Sequence, residues 1–377
     1  MNGERMRIAL TGTRGIPARY GGFETCAQEL SVRLAKKGHD VWVYNRSGYY
    51  KQKPKEYQGV KLIYVPECKI KVLDTLSHTF LSLVHALWKQ YDVILVLNNA
   101  NSPLMILPKL WGKNAVLHID GLEWQRGKWL GLGRIYFKFV EWLSMRLGIE
   151  LITDSRCLQR YYQNKYKKKV HFIPYGAALQ KSHQPEILSR YGLKPREYFL
   201  QVTRFEPENN PLLSMKAFLE LDTDKKLVLV GGVRYSTDYA AEIFSIQDKR
   251  IKRPGFIYDP VVLRELLSNC YAYIHGNEVG GTNPGLLQAM GSGCFVICRD
   301  VPFNREVLQD AGIYFEKDVE SLKEKISWAL AHESQTQKFG EAAKQIINDH
   351  YDWDLVVEKY LQIFNSFHKA QRFFHMF

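Results

Sequence analysis

Four stretches of this 377-residue chain place glycine, arginine or carboxylate side chains where they can do chemistry. The first reads Leu10-Thr-Gly-Thr-Arg-Gly-Ile-Pro-Ala-Arg-Tyr-Gly-Gly-Phe-Glu-Thr25. It joins an apolar run to an amphipathic one, so Gly21 and Gly22 fall where backbone N–H groups at a helix start meet a phosphate. Arg14 and Arg19 lie in the same loop; without them it would read as an ordinary turn. The second, Val202-Thr-Arg-Phe-Glu-Pro-Glu-Asn-Asn-Pro211, projects Arg204 as a fixed-charge fork for phosphate oxygens. Its plainer alternative is a surface ion pair with Glu206 or Glu208. The third, Gly280-Gly-Thr-Asn-Pro-Gly-Leu-Leu-Gln-Ala-Met290, again opens a helix. Its first turn offers amides to an anion, and Gln288 can reach hydroxyls. Thr282 or Asn283 would suffice as a simple cap, but capping does not need the doubled glycine. The fourth, Leu117-His-Ile-Asp-Gly-Leu-Glu-Trp-Gln-Arg-Gly-Lys-Trp129, gathers Asp120 and Glu123, candidate proton acceptors, with His118, Trp124, Arg126 and Trp129.

The elements that must position these stretches follow from the hydrophobic pattern. Short apolar runs alternate with amphipathic stretches, the signature of parallel β-α-β units. Strands are predicted at 7–11, 40–45, 61–65, 93–97, 115–119, 151–153 and 170–173, with helices at 23–37, 75–90, 132–147 and 155–165. The series restarts with strands at 198–203, 227–230, 255–258, 272–275, 295–298 and 313–315, and helices at 211–221, 261–268 and 282–292. Two doubly wound halves are the simplest account, joined near Pro174-Tyr175-Gly176, and a helical pattern at 352–367 can cross back onto the first half. The domains expected are 1–177 with about 355–377, and 178–354.

Composition narrows the classes. A hydrophobic fraction of 46% with 13% aromatics is that of a folded globular chain and excludes disordered, collagen-like and coiled-coil readings. Residues 1–177 hold 28 Lys/Arg against 13 Asp/Glu, whereas residues 178–377 hold 24 against 26, so the net charge of +13 belongs to the first half. Its partner is then anionic. Six cysteines without metal spacing read as reduced core thiols. The opening MNGERMRIAL runs straight into a strand without a signal-peptide pattern, and no run is long enough to span a bilayer, so a cytoplasmic protein is expected. The dinucleotide GxGxxG spacing is absent, which argues against a nicotinamide enzyme. Asp222-Thr-Asp224 spells a metal-binding DxD, but it lies in a charged turn away from the glycine loops and reads as accidental.

Taken together, GTRGIPARYGGFET, the Asp120-Gly-Leu-Glu-Trp124 segment with Lys128 and Trp129, and GGTNPGLLQAM resemble glycosyltransferase family 4 of the GT-B fold. Within it they are similar to bacterial rhamnosyltransferases of capsule, O-antigen and S-layer glycan assembly. The resemblance covers essentially the whole chain. It implies an α/β GT-B architecture, two Rossmann-like domains facing each other across a cleft, with the C-terminal helix returning to the first domain. It implies a retaining transfer, with dTDP-L-rhamnose as the expected donor and a saccharide or polyprenyl-diphosphate-linked glycan as acceptor. UDP- or GDP-hexose transfer and a nucleotide-sugar epimerase are the alternatives.

The same resemblance assigns roles. Gly21, Gly22, Arg14 and Arg204 face the donor diphosphate, joined by Asn209; Gly281, Thr282 and Asn283 bind phosphate or sugar; Gln288 binds ribose; and Phe256 and Ile257 sit against the base. His118 contacts the donor sugar, Asp120 or Glu123 takes the acceptor proton, and Arg19, Tyr20, Trp124, Lys128 and Trp129 hold the acceptor. Two positions depart from the family pattern: its paired glutamates fall on Gly280 and Gln288, and its lysine falls on Asn209, so Arg14 or Arg19 is expected to compensate. Glu278 is the alternative carboxylate. No metal and no other cofactor are implied. Nucleic acid is not expected, since the lysines do not interleave with a recognisable binding motif. The lysines at 51–55, 69–71 and 165–169 flank the amphipathic stretch 72–91, with Leu76, Phe80, Leu83, Val84 and Leu87 on its apolar face. That arrangement fits contact with the inner leaflet of the plasma membrane.

Overall fold

The computed structural model describes residues 4–19, 21–70, 73–119, 121–126, 131–233 and 237–375, with side chains through residue 367. It divides into one unit of Met1–Tyr175 with Trp353–Phe377 and a second of Gly176–Asp352.

The strands of the first unit are β1 (Arg7–Thr11), β2 (Asp40–Arg46), β3 (Glu56–Tyr57), β4 (Val60–Val65), β5 (Val93–Leu97), β6 (Ala115–Ile119), β7 (Glu150–Thr153) and β8 (His171–Phe172). Its helices are α1 (Gly22–Lys36), α2 (Asp74–Leu87), α3 (Ile106–Leu110), α4 (Leu132–Arg146) and α5 (Arg156–Tyr166), and a 3-10 turn at Asn99–Met105 leads into α3. The sheet order is β3-β4-β2-β1-β5-β6-β7-β8, parallel throughout except for the β3–β4 pair. Strands β5 and β6 are buried at every position, as strands covered on both faces must be. Helix α1 carries Glu24 in its first turn and Arg33 and Lys36 in its last, matching the helix dipole, and stops at Gly38 with φ +93°.

In the second unit β9 (Tyr198–Arg204), β10 (Lys226–Gly232), β11 (Ile251–Gly255), β12 (Ala272–His275), β13 (Val296–Arg299) and β14 (Gly312–Phe315) form a parallel sheet of order β11-β10-β9-β12-β13-β14. Helices α6 (Pro211–Leu219), α7 (Asp238–Ser245), α8 (Pro260–Asn269), α9 (Pro284–Gly291), α10 (Pro302–Leu308), α11 (Val319–Ala331) and α12 (Glu333–Ile346) complete it. Phe199, Phe218, Tyr271, Phe295 and Phe315 fill its core. The strand expected at 255–258 lies earlier, as β11, because the charged run Ile-Lys-Arg-Pro-Gly pairs only at the sheet edge, where a proline is tolerated.

The last helix, α13 (Trp353–His375), belongs to the first unit and packs against α1. It buries Val356, Val357, Tyr360 and Phe364, and the Lys37–Glu358 pair (2.7 Å) ties its exposed side to α1. Among the described residues, no helix is long and apolar enough to cross a membrane.

Candidate functional site

In each sheet the strand order reverses once, between β1 and β5 in the first unit and between β9 and β12 in the second. Such switch points open a crevice at the carboxyl ends of the strands. The glycine-rich loops singled out above leave β1 and β12, and the Arg204 loop leaves β9.

In the second unit the two loops flanking the switch point are fastened to each other. The Asn210 carboxamide donates to the Gly276 carbonyl (2.8 Å), and the Glu278 amide donates to the Glu208 carbonyl (3.0 Å). Gly276 is glycine because a Cβ there would stand 2.4 Å from the Asn209 carbonyl oxygen. Arg204, at the end of β9, is partly exposed and forms the ion pair with Glu206 (3.2 Å) that the sequence offered as its plainer role. Any anion that bound there would compete with a resident carboxylate. Asn209 is buried; its carboxamide donates to the Arg204 carbonyl (3.0 Å), so what it fixes is the arginine's backbone.

The other donor-side positions divide. Asn283 caps α9, accepting from the Gly285 amide (2.9 Å), and Pro284 has no N–H, so the first turn presents fewer amides than expected. Thr282 is buried, Gly281 and Gln288 are half-buried, and Gly280 adopts φ +145° with open space beside it. Glu278 is clamped by Arg299 (3.1 Å) and Lys317 (2.7 Å). Beyond β11, the ring of Phe256 stacks on Tyr258 (5.9 Å, 10°) next to the half-buried Ile257. A Cβ on Gly232 would come within 3.0 Å of the Phe256 ring. The Gly231-Gly232 doublet at the end of β10 thus joins this side of the site. Sequence reasoning passed over it, although it is a doubled glycine after a predicted strand like the others.

In the first unit, Gly21 (φ +128°) precedes α1, and a Cβ there would lie 2.0 Å from a Glu24 carboxylate oxygen. Glu24 is buried, accepts from the Arg14 amide (3.1 Å) and lies 3.5 Å from the Arg14 guanidinium. The start of α1 at Gly22 therefore already holds a negative charge of its own. Arg19 rests over Tyr49 and Tyr50 (5.6 and 5.5 Å to the ring centroids). The loop's backbone is held by the buried Asn45, which donates to the Ile16 carbonyl and accepts from the Ile16 amide.

His118, in β6, is fully buried among Phe23, Tyr175 and Tyr360. Its Nδ1 shares a 2.8 Å hydrogen bond with the Tyr360 hydroxyl of α13, and its Nε2 has no partner. Burial pushes its pKa down to about 3, so it is a neutral imidazole at ordinary pH. Glu123 pairs with Arg126 (2.6 Å). Asp120, Tyr20, Lys128 and Trp129 lie outside the described residues.

Trp124 is anchored by its indole N–H donating to Glu141 (2.7 Å), a residue the sequence reading did not single out. Glu141 is buried on the inward face of α4 and also accepts from Tyr161 (2.9 Å), Lys165 (2.8 Å) and Tyr166 (2.7 Å). Its signal was a lone carboxylate on the core-facing spacing of that helix. Burial opposes the charge on Lys165, but the bonds to Glu141, Tyr161 and Tyr166 raise its pKa on balance, so this lysine supports Trp124 rather than standing free at the surface. The expected membrane face of α2 also changes, because Leu83 and Leu87 pack into the core.

Residues 6–178 match a domain of unknown function, DUF1972, and residues 184–346 match the family model described as glycosyl transferases group 1. A curated relative, an uncharacterised 42.6 kDa protein in the cps region of Klebsiella pneumoniae, is 38% identical over 65 residues, which is 17% of each chain. Among solved structures, sucrose-phosphate synthase from Thermosynechococcus elongatus superposes with a TM-score of 0.80 at 17% identity, covering 97% of this chain and 100% of that one. HepE of Anabaena in complex with UDP-glucose gives 0.75 at 14%, covering 96% and 100%. The catalytic domain of starch synthase IV from Arabidopsis thaliana bound to ADP and acarbose gives 0.75 at 13%, covering 97% and 99%. The chain therefore has the GT-B fold of two Rossmann-like parallel sheets, and residues 184–346 of its second unit match the model of glycosyl transferases group 1.

Proposed function

We propose that the chain is a retaining glycosyltransferase that moves L-rhamnose from dTDP-L-rhamnose to a saccharide or polyprenyl-diphosphate-linked glycan, for cell-surface polysaccharide, at the cytoplasmic face of the membrane. The observation that carries this reading is the second unit's switch point. There, a group 1 domain holds Arg204 at a strand end, braced from behind by Asn209, beside a glycine-rich loop stitched to its own. Arg204 stabilises the charge that gathers on the diphosphate as the bond to the sugar's anomeric carbon breaks. Helix-end amides of Gly281 and its neighbours share that charge, and the Phe256–Tyr258 stack offers the base a flat apolar wall. His118, sealed in the core of the first unit, acts in this reading by fixing the end of β6 rather than by touching the sugar. Asp120 or the diphosphate itself receives the acceptor proton, and no step requires a metal. The rhamnose assignment is supported by the three motifs shared with rhamnosyltransferases.

The similarity to HepE of Anabaena, solved in complex with UDP and with UDP-glucose, favours a UDP-hexose as the second reading. One panel separates the two. Thermal shift is measured with dTDP-rhamnose, UDP-glucose, GDP-mannose and their free diphosphates, followed by turnover with a chelator present. A ligand at 100 times its Kd adds about 2.7 kcal/mol of stability. The expected result is the largest shift with dTDP-rhamnose and turnover unchanged by chelator. A preference for UDP-glucose selects the second reading, and no shift with any of them removes both.

A further inference from the structure

Helix α4 carries two apolar stripes where a surface helix has one. Phe137, Val140, Ser144 and Met145 face the core together with Glu141. Leu132, Ile135, Phe139 and Trp142, spaced by three, four and three residues, face outward with exposures of 84%, 63%, 48% and 45%. That spacing is the one by which a helix docks on something apolar. The Phe139 and Trp142 rings stack (6.1 Å, 29°), forming a flat outward surface.

The neighbouring helices extend the stripe. Helices α2, α3 and α4 each lead to a strand further along the same direction of the sheet, and right-handed crossovers place all three on one face. The 3-10 turn Asn99–Met105 packs against both α2 and α4. On this face α2 with the residue after it exposes Phe80, Leu81 and Trp88, and α3 with the residue after it exposes Leu110 and Trp111. Single exposed hydrophobics are ordinary, whereas a band across three adjacent helices marks an interaction surface.

Charge selects the occupant. Arg134 and Lys138, exposed over the Trp124 ring (5.8 and 5.3 Å to its centroid), and Arg146, exposed over Trp142 (5.8 Å), flank the α4 stripe, and Lys89 follows α2. Among the described residues, none of the three helices exposes an acidic side chain: Asp74 is half-buried and paired with Arg46, and Glu141 is buried. A second copy of this face would set cations against cations, which disfavours self-association. Aromatic rings bordered by Arg and Lys, with no acid between them, are the composition that seats in the headgroup boundary of an anionic bilayer.

We propose that the outward face of α2, α3 and α4 docks the protein on an anionic phospholipid surface. Phe139 and Trp142 enter the boundary between headgroups and acyl chains, while Arg134, Lys138 and Arg146 meet lipid phosphates. The proposal rests on the membrane-side reading above, but vesicle binding requires neither donor nor acceptor, so the two fail separately. The test floats the full chain with vesicles of phosphatidylcholine alone or with about one-third phosphatidylglycerol, at about 0.1 M salt. The expected result is at least about tenfold more protein on the anionic vesicles, with tryptophan emission moving to the blue. The partition should fall about tenfold in Phe139→Ser/Trp142→Ser and, as an independent arm, in Arg134→Gln/Lys138→Gln. Melting curves should show both variants folded, with the nucleotide-sugar shift of the parent chain. Equal partition on both vesicle types, no partition, or partition untouched by both double variants would overturn the proposal. So would a dimer in light scattering that dissolves in Phe139→Ser/Trp142→Ser, since the face would then be a subunit interface. Vesicle binding without any nucleotide-sugar shift would instead overturn the transferase reading alone.

Discussion

Arg204 is held by its own backbone and its own neighbour. Asn209 fixes its carbonyl, and Glu206 occupies its guanidinium. Because its side chain is only partly buried and the pair is two residues apart in sequence, removing it should cost little stability. Arg204→Ala is expected to lower kcat/KM by about 10²–10³ while leaving the melting temperature nearly unchanged, as loss of one preorganised contact to a developing anion would. Near-normal turnover would take Arg204 out of that role. Arg204→Lys keeps the charge and loses the fork, so it should fall between the two. Glu206→Gln should act in the opposite sense, tightening nucleoside-diphosphate binding several-fold by freeing the arginine, which calorimetry can read directly.

At the scale of elements, the end of β10 is set by close approach. Gly231 has φ +138°, and a Cβ there would stand 1.7 Å from the Thr203 carbonyl oxygen. Gly231→Ala must push β10 away from β9 where Arg204 sits, and should cost about 2–4 kcal/mol. A melting point lowered by less than about 3 °C would show that the strands give way easily. Strands such as β1, β5, β6 and β12 were legible in the sequence residue for residue, because covered parallel strands are mainly apolar runs. The three glycine or arginine loops were legible for the same reason, each following such a run. Edge strand β11 was not, since charged residues and Pro254 hide its pairing. The fixings of the site were hidden more deeply. Glu278 to Lys317, His118 to Tyr360 and Trp124 to Glu141 join residues remote in sequence, and no local pattern announces a partner that only folding brings near. Glu24 and Asn283 were visible as polar residues at helix starts. That they occupy the anion-binding ends themselves depends on side-chain direction, which spacing does not encode.

For the molecule as a whole, three buried histidines set the acid limit of stability. Burial pushes His118 and His275 down to about 3 and, with the Arg46 charge, His78 to about 4, whereas in the unfolded chain each titrates near 6.5. Between about pH 6.5 and 4 the unfolded chain therefore binds protons that the native chain refuses. Stability should fall with acid by about 1.4 kcal/mol per pH unit for each histidine, and these groups contribute no slope above that window. Melting temperatures recorded across pH 4–8 check the window, and His118→Gln should flatten one share of the slope; an unchanged profile in that variant would contradict the burial account. The second unit, meanwhile, interrupts the first: the chain leaves after Tyr175 and returns at Trp353, where α13 supplies the Tyr360 hydroxyl that His118 waits for. On a ribosome, the unit that begins to emerge earliest is thus the one completed latest. Its histidine stays without its hydrogen-bond partner until the intervening 177 residues and then α13 have been synthesised, so the nascent first unit closes around His118 only after the second has been made.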